Sequence, residues 1–591
     1  MSNPWPRIPY GEADFRRIRL NRWLYVDKTR FVRTLEDERY VFFIRPRRFG
    51  KTCWLSLLEN YYDRRWAHEF DTVFAGTDLG REPTTERHRY VVLRFNFSAV
   101  NDALPRLERS FETYCHMELR GAMERFPDLF PEAARQRILA PDGITDKLGE
   151  LFHYAGEHDV PLYVLIDEYD NFANTILAHH GAEAYENLTH GGGFYRNFFA
   201  TLKTGTERSG GGLERLFITG VSPVTMDDVT SGFNIGTNLS LEPAFNEMLG
   251  FTEAEVHGLV ERYRSHGAFS QDVDTALGIM RAWYDGYRFA EEAETVLYNT
   301  DMVLYYLQKS VPNRPVPVYL IDTNVRIDYG KLRHLLVVNR RSAEGSARLN
   351  GNFDLLRGII GTESADAGIQ PSFPLKRLIK RENFLSLLHF FGLLSIREIV
   401  DGVPRLAIPN QTVKRLMYEY LREAYEDAGA FDVNLYEFGQ RMMRMANQGE
   451  WRPVFEFLAE AIAAQTAIRD YIAGEKVLQG FLAAYLSVTD YYVFRSEPEL
   501  GKGHADISLE PLLARFPHLT RGYLIELKYL RRGASAGEGR IAAALAEASA
   551  QLRGYLADER LARQYPGVRF TGLALVFHGW ELVVCEAVTP A

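Results

Sequence analysis

Between Tyr40 and about Phe251, short runs of β-branched and aromatic residues alternate with helical stretches: YVFFI at 40–44, YVVLRFNF at 90–97, PLYVLIDEYD at 161–170 and RLFITGV at 215–221. Apolar runs of this length belong to strands buried on both faces, so the pattern predicts a parallel sheet with helices on both sides over 1–250. From 252 the strand runs stop. TEAEV at 252–256 offers Thr252 as an N-cap and Glu255, three residues on, as its reciprocal partner, opening a helical lid over 251–320.

Further on, the apolar helix FLSLLHFFGLL runs into two short strands, LSIREIV and PRLAIPN, around Asp401-Gly402, and then into the amphipathic TVKRLMYEYLREAY. Helix, hairpin and helix in that order predict a winged-helix-like unit within 321–430. Residues 431–470 read as a helical connector. An α-β-β-β-α-β order then fills 471–591, interrupted by the loop RRGASAGEGR at 531–540.

Composition narrows the class. With 591 residues, 46% hydrophobic and 25% charged, the chain has the make-up of a folded multidomain protein. Its net charge of −9 argues against a general nucleic-acid coat, so any polyanion site must be local. Cys53, Cys115 and Cys585 are too few and too scattered for a disulfide framework or a cysteine zinc site, which suits the reducing cytoplasm. The opening MSNPWPRIPY has no apolar segment of the signal-peptide kind, and the chain has no run of about 18 apolar residues, so no membrane partner is expected.

Immediately after YVFFI comes RPRRFGKTCWLSLLENYYD. A bound phosphate needs N–H donors at a helix N-terminus, a lysine for its outer oxygens and a hydroxyl to ligand Mg²⁺, and Gly50-Lys51-Thr52 supplies them in order. The stretch reads as a P-loop for ATP and Mg²⁺, with Arg45, Arg47, Arg48, Phe49, Gly50, Lys51, Thr52 and Cys53 as its binding residues. Arg45 stands where the usual pattern has its first glycine. In LYVLIDEYD, Asp167 and Glu168 end a buried strand, the place where such sheets hold Mg²⁺ and an attacking water. Asp167 is assigned to the metal and Glu168 to the water. Thr219, with Ser222 behind it, is placed to sense the γ-phosphate, and Arg288 in WYDGYRF or Arg196 in FYRNFF to serve as a sensor or finger.

The last domain carries GKGHADISLEP at 501–511 and RGYLIELKYL at 521–530. Strand alternation puts Leu524, Glu526 and Lys528 on one face, and Asp506 can lie against Glu526 if the two strands pair. In this D-x19-E-x-K array, Asp506 and Glu526 would ligand Mg²⁺ and Lys528 would position or activate the water that attacks a phosphodiester. Glu475, about 30 residues before Asp506, is a candidate outer carboxylate, and Gln551 and Tyr555 lie one turn apart on the following helix.

With these residues in view, the chain resembles the bacterial and archaeal family of AAA-ATPase-like proteins fused to a C-terminal PD-(D/E)xK nuclease-superfamily domain. The likeness runs through IPYGEADFRRI, YVDKTRFV, RPRRFGKT, LIDEYD, FITGVS, GFTEAEV, WYDGYRF and YNTDMVL in the first half, then FFGLL and IPN. The resemblance implies an α/β fold: a P-loop ATPase core with a helical lid and a winged-helix-like segment, then a C-terminal α/β PD-(D/E)xK nuclease-like domain. It carries the superfamily's catalytic residues to Asp506, Glu526, Lys528 and Gln551, with Ala505 where a proline often precedes the aspartate.

The function expected is ATP- and Mg²⁺-dependent cutting of nucleic acid, DNA ahead of RNA, under nucleotide control and suited to mobile-element or phage defence. Lys414, Arg415, Arg531 and Arg532 are the candidates for phosphate contacts. The rival is a nucleotide-switched binding or scaffold protein that does not cut. P-loop proteins of this class often form rings, so a nucleotide-dependent homo-oligomer is one expectation and a monomer or dimer another.

Overall fold

The structure, a computed structural model, describes residues 7–101, 103–207, 212–224, 228, 235–267, 271–311, 314–325, 338–339, 348–349, 351–378, 380–427, 431–465, 474–500, 503–531 and 538–588. Its contacts gather into two units, Met1–Val325 with Asp366–Asn410, and Arg326–Ala365 with Gln411–Ala591.

In the first unit, β1 (Tyr40–Ile44) leads into α1 (Lys51–Tyr62), followed by β2 (Val91–Asn96), α2 (Leu107–Glu124), α3 (Ile144–Glu157), β3 (Leu162–Asp167), α4 (Phe194–Glu207), β4 (Leu213–Gly220) and β5 (Thr237–Asn238). The five strands form one parallel sheet in the order β2-β3-β4-β1-β5. Leu162, Val164 and Ile166 of β3 point into a core with Phe111, Leu151 and Phe198 from α2, α3 and α4. Tyr163 points the other way, onto Tyr62 of α1 at a ring distance of 5.2 Å. Both faces are therefore covered, as the uninterrupted apolar runs require.

The region expected as a helical lid contains α5 (Glu253–Ser265), α6 (Val273–Tyr284) and α7 (Thr300–Lys309). The capping box forms: Glu255 N–H donates to Thr252 Oγ1 at 3.3 Å, and Thr252 N–H donates to Glu255 Oε2 at 2.8 Å. The same unit ends in α8 (Arg381–Phe390) and the antiparallel hairpin of β6 (Ser395–Val400) and β7 (Val403–Ala407). Asp401 and Gly402 both have positive φ, 51° and 79°, the geometry that an Asp-Gly hairpin turn adopts.

The second unit takes up the chain again at α9 (Gln411–Asp427), so the segment expected as one winged-helix-like region is shared between the two units. The reason is packing. The apolar face of α9 turns Tyr425 onto Phe481, 6.0 Å away on a helix of the last domain. Helices α10 (Leu435–Gln448), α11 (Arg452–Ala464) and α12 (Glu475–Leu486) precede β8 (Tyr492–Ser496), the short pair β9 (Glu499–Leu500) and β10 (Gly503–His504), β11 (Ile507–Pro511) and β12 (Arg521–Leu530). After α13 (Glu538–Leu556) come β13 (Arg569–His578) and β14 (Glu581–Val588).

The sheet order is β8-β11-β12-β13-β14, with β12 and β13 parallel and the other pairs antiparallel. Leu524 of β12 packs on Ala548, Leu552 and Tyr555 of α13. On the opposite face, Tyr523 meets Tyr492 at 5.9 Å and donates its hydroxyl to the Met445 carbonyl. Among the described residues, no helix is long and apolar enough to cross a membrane.

Candidate functional sites

Gly50 caps α1 with φ at 94°, a left-handed conformation that glycine adopts without strain. Lys51 is buried, and its Nζ folds back to donate to the carbonyls of Arg45 at 3.0 Å and Pro46 at 2.9 Å. Burial pushes this ammonium's pKa down, against the pull of Glu168, Asp167 and Asp170. Such an ammonium can pass from two carbonyls to phosphate oxygens.

Asp167 is fully buried at the end of β3, hydrogen-bonded to the Thr52 side chain, and its Oδ2 has no hydrogen-bond partner. Burial and then the neighbouring Glu168 push its carboxyl up. A hydroxyl beside an orphaned carboxylate oxygen at a helix N-terminus fits a hydrated divalent cation. Glu168 takes φ of 52°, strain that a non-glycine residue rarely carries.

Asp170 closes the sheet end: it accepts the N–H groups of Val221 and of Ser222, the latter at 2.6 Å, and burial pushes it up to about 6. Gly220 makes room for it, since a Cβ there would lie 2.3 Å from Asp170 Oδ1. Sequence reasoning gave Asp170 no role, although it stands in the same LIDEYD run.

In the second unit, β11 and β12 pair with Ile507 opposite Ile525, so Asp506, one step beyond, faces Glu526. Asp506 Oδ2 accepts the Leu527 N–H at 2.7 Å, and the Asp506 carbonyl accepts from Gln479 Nε2 at 2.6 Å. Lys528 Nζ lies 3.4 Å from Glu526 Oε1 and 2.9 Å from Glu547 Oε1. Burial, then the Asp506 charge, pushes Glu526 up to about 7, while burial with the nearby Glu475 holds Asp506 at about 6 against the Leu527 N–H and Lys528.

The Oε2 of Glu526 is buried without a hydrogen-bond partner, as is Oε1 of Gln551. Two carboxylates raised toward neutrality, one with an orphaned oxygen, fit a divalent ion with waters completing its shell. Among the described residues, no group of three or more His, Cys, Asp and Glu is arranged to hold a metal.

Two family models match this chain: one described as "Predicted AAA-ATPase" over residues 9–230, and one for the PD-(D/E)XK nuclease superfamily over 473–587. The chain joins an AAA-ATPase-like domain to a PD-(D/E)XK nuclease-superfamily domain. A curated relative, the uncharacterized protein in the vnfD 5′ region of Azotobacter chroococcum mcd 1, is 25% identical over 331 residues, covering 54% of this chain and 55% of the relative. The chain thus spans about half the length of the curated relative it matches. Solved structures that it resembles include Cdc6p from Pyrobaculum aerophilum (13% identity, 71% of this chain and 96% of that one, TM-score 0.27) and the Aeropyrum pernix ORC2 protein (14%, 72% and 96%, TM-score 0.31).

Within the ATPase domain, several expected nucleotide contacts are occupied by the fold itself. The Arg45 guanidinium lies between the rings of Phe43 and Phe289, at 4.2 and 4.3 Å, and donates to the carbonyls of Ile44, Ser240 and Phe245. It braces the loop from behind instead of facing a phosphate. Arg48 pairs with Asp301 at 2.6 Å, and the Phe49 ring is buried against Tyr287 and Phe289. Arg47 lies close enough for its charge to help lower the Lys51 pKa. Burial pushes the Cys53 thiol up to about 12, so that side chain stays a neutral packing group.

Thr219 is buried and donates its hydroxyl to the Phe43 carbonyl at 2.6 Å, which takes it out of the sensor role. Arg288 lies between Tyr287 and Phe289, whose stacked rings both touch Phe49, so alternation directs Arg288 away from the P-loop, to the Ala293 carbonyl. Arg196 donates to the Gly191 carbonyl.

In the second unit, Lys414 is buried on Glu363, and Arg415 pairs with Asp490 and the Val488 carbonyl; neither is offered to a phosphate. Arg531 is exposed. Arg532 and residues 501–502, which open the expected aspartate strand, lie outside the described residues. Sequence reasoning missed Gln479 and Glu547; the latter's only signal is its place one turn before Gln551 on the same helix face.

Proposed function

We propose that this protein is a Mg²⁺-dependent endonuclease or nickase, acting on DNA ahead of RNA, whose cutting is controlled by ATP binding or hydrolysis. The observation that carries this reading is the convergence of Asp506, Glu526 and Lys528, with Glu526 Oε2 buried and unpartnered. Asp506 and Glu526 would hold the metal, Lys528 would orient the attacking water and balance charge on the phosphodiester, and Gln551 and Glu475 would line the same pocket. A bound Mg²⁺ would supply Lewis-acid polarisation of the phosphodiester and a more acidic water.

In the ATPase domain, Gly50, Lys51 and Thr52 would cradle ATP, with Asp167 toward its Mg²⁺ and Glu168 toward the water. Gated cutting of this kind suits defence against phage or mobile DNA, since an ungated nuclease would attack the host's own nucleic acid.

The test incubates supercoiled plasmid and labelled RNA with the full chain, with and without ATP and Mg²⁺, beside Glu526→Gln and Lys51→Ala. Cutting is expected in wild type with both present, lost in Glu526→Gln and no longer ATP-dependent in Lys51→Ala. Cutting that survives Glu526→Gln would overturn the reading. DNA binding without any cutting by wild type would favour the nucleotide-switched binding protein.

A further inference from the structure

Lys528 has two acidic neighbours of different kinds. On its inner side stands Glu526, with 4% of its side chain exposed; on its outer side stands Glu547, with 63% exposed and the shorter contact, 2.9 Å against 3.4 Å. Glu547 belongs to α13, not to the sheet, and shares a helix face with Gln551 and Tyr555 at successive spacings of four. Tyr555 is anchored there, its hydroxyl donating to the His504 carbonyl at 2.9 Å, while the amide oxygen of Gln551 is buried without a hydrogen-bond partner. The wall that α13 presents to the site therefore holds one fixed group, one unsatisfied acceptor and one exposed anion paired with Lys528.

We propose that Glu547 is an internal stand-in for the substrate phosphate: its carboxylate holds the outer side of Lys528 until an incoming phosphodiester displaces it. A carboxylate and a phosphodiester both present two anionic oxygens to an ammonium, so they compete for the same donors. The exposed Glu547 side chain can rotate into solvent once displaced, whereas Glu526 is enclosed by the sheet and stays with Lys528. This inference rests on the nucleic-acid reading above and makes Glu547 a positioning residue that acts through Lys528.

The experiment measures binding of a short fluorescein-labelled duplex, and of its single strand, by anisotropy across a range of salt concentrations with Mg²⁺ and ATP present. It uses the full chain in an Asp506→Asn background, which removes cutting under the proposed function and leaves Lys528 and both its carboxylate partners intact. Adding Glu547→Gln is expected to tighten binding about fivefold at low salt and to steepen the salt dependence by about one released counterion, because Lys528 becomes free to neutralise a phosphate. Adding Lys528→Gln should abolish both effects. An affinity that Glu547→Gln leaves unchanged or weakens would overturn the proposal, as would a gain that persists without Lys528, since that would be a general charge effect. Absence of binding in the Asp506→Asn protein, with or without Glu547→Gln, would instead sink the nucleic-acid reading itself, and this inference with it.

Discussion

Asp506 stands across the strand pair from Glu526, and its Oδ2 takes the Leu527 N–H that lies between Glu526 and Lys528. This clamp brings a half-buried and a buried carboxyl together, pushed up to about 6 and about 7 from 3.8 and 4.5. Ionising them in the folded state therefore costs stability that is absent near pH 4 and fully present above about pH 7. A divalent ion removes that cost only where the carboxyls have lost their protons. Mg²⁺ should thus raise the melting temperature of the wild type more at pH 8 than at pH 5.5, with the difference lost in Glu526→Gln. Equal Mg²⁺ stabilisation at both pH values would contradict the paired-carboxylate site.

Replacing Arg45 by glycine would restore the more usual P-loop pattern, yet here it should destabilise. The guanidinium satisfies three buried carbonyls and fills the gap between Phe43 and Phe289. Losing those bonds and leaving a cavity should cost about 3–5 kcal/mol, read as a lower urea midpoint for Arg45→Gly. A variant as stable as wild type would show that Arg45 is not a brace.

Thr219→Val removes a hydroxyl whose hydrogen bond goes to the Phe43 carbonyl. The expected loss is about 1 kcal/mol of stability. ATP hydrolysis, measured by phosphate release, should stay within about twofold of wild type; a loss of about a hundredfold, the scale on which a lost transition-state contact acts, would restore the sensor role.

His389 is fully buried, with the backbone of Phe289 and Leu394 against its ring. Burial, and then the charge of Arg45, pushes it down to about 4 from 6.5. Between those values the unfolded chain binds a proton that the folded chain refuses, so stability falls as pH drops. The contribution lost between pH 7 and pH 5 is about 2 kcal/mol. His389→Phe should remove that share of the acid sensitivity in denaturant titrations at the two pH values; an unchanged pH slope would refute the neutral buried imidazole.

Much of this architecture is legible along the chain because its signals are local. Gly50, the Asp401-Gly402 turn and the Thr252–Glu255 capping box each depend on residues a few positions apart, and each appears where its residues predict it. Alternation along one strand likewise suffices to put Leu524 and Glu526 on the face that α13 covers.

Chain order and strand periodicity were enough to mark a P-loop, a buried acidic strand end and an acid-rich hairpin, since period and spacing survive in one dimension. Which way each long cation points was settled only in three dimensions. Arg45 turns to carbonyls about 200 positions away, Arg415 to Asp490, and Lys528 to a glutamate on the next helix. A flexible charged side chain takes whatever partner packing brings within reach, and no local pattern encodes that partner.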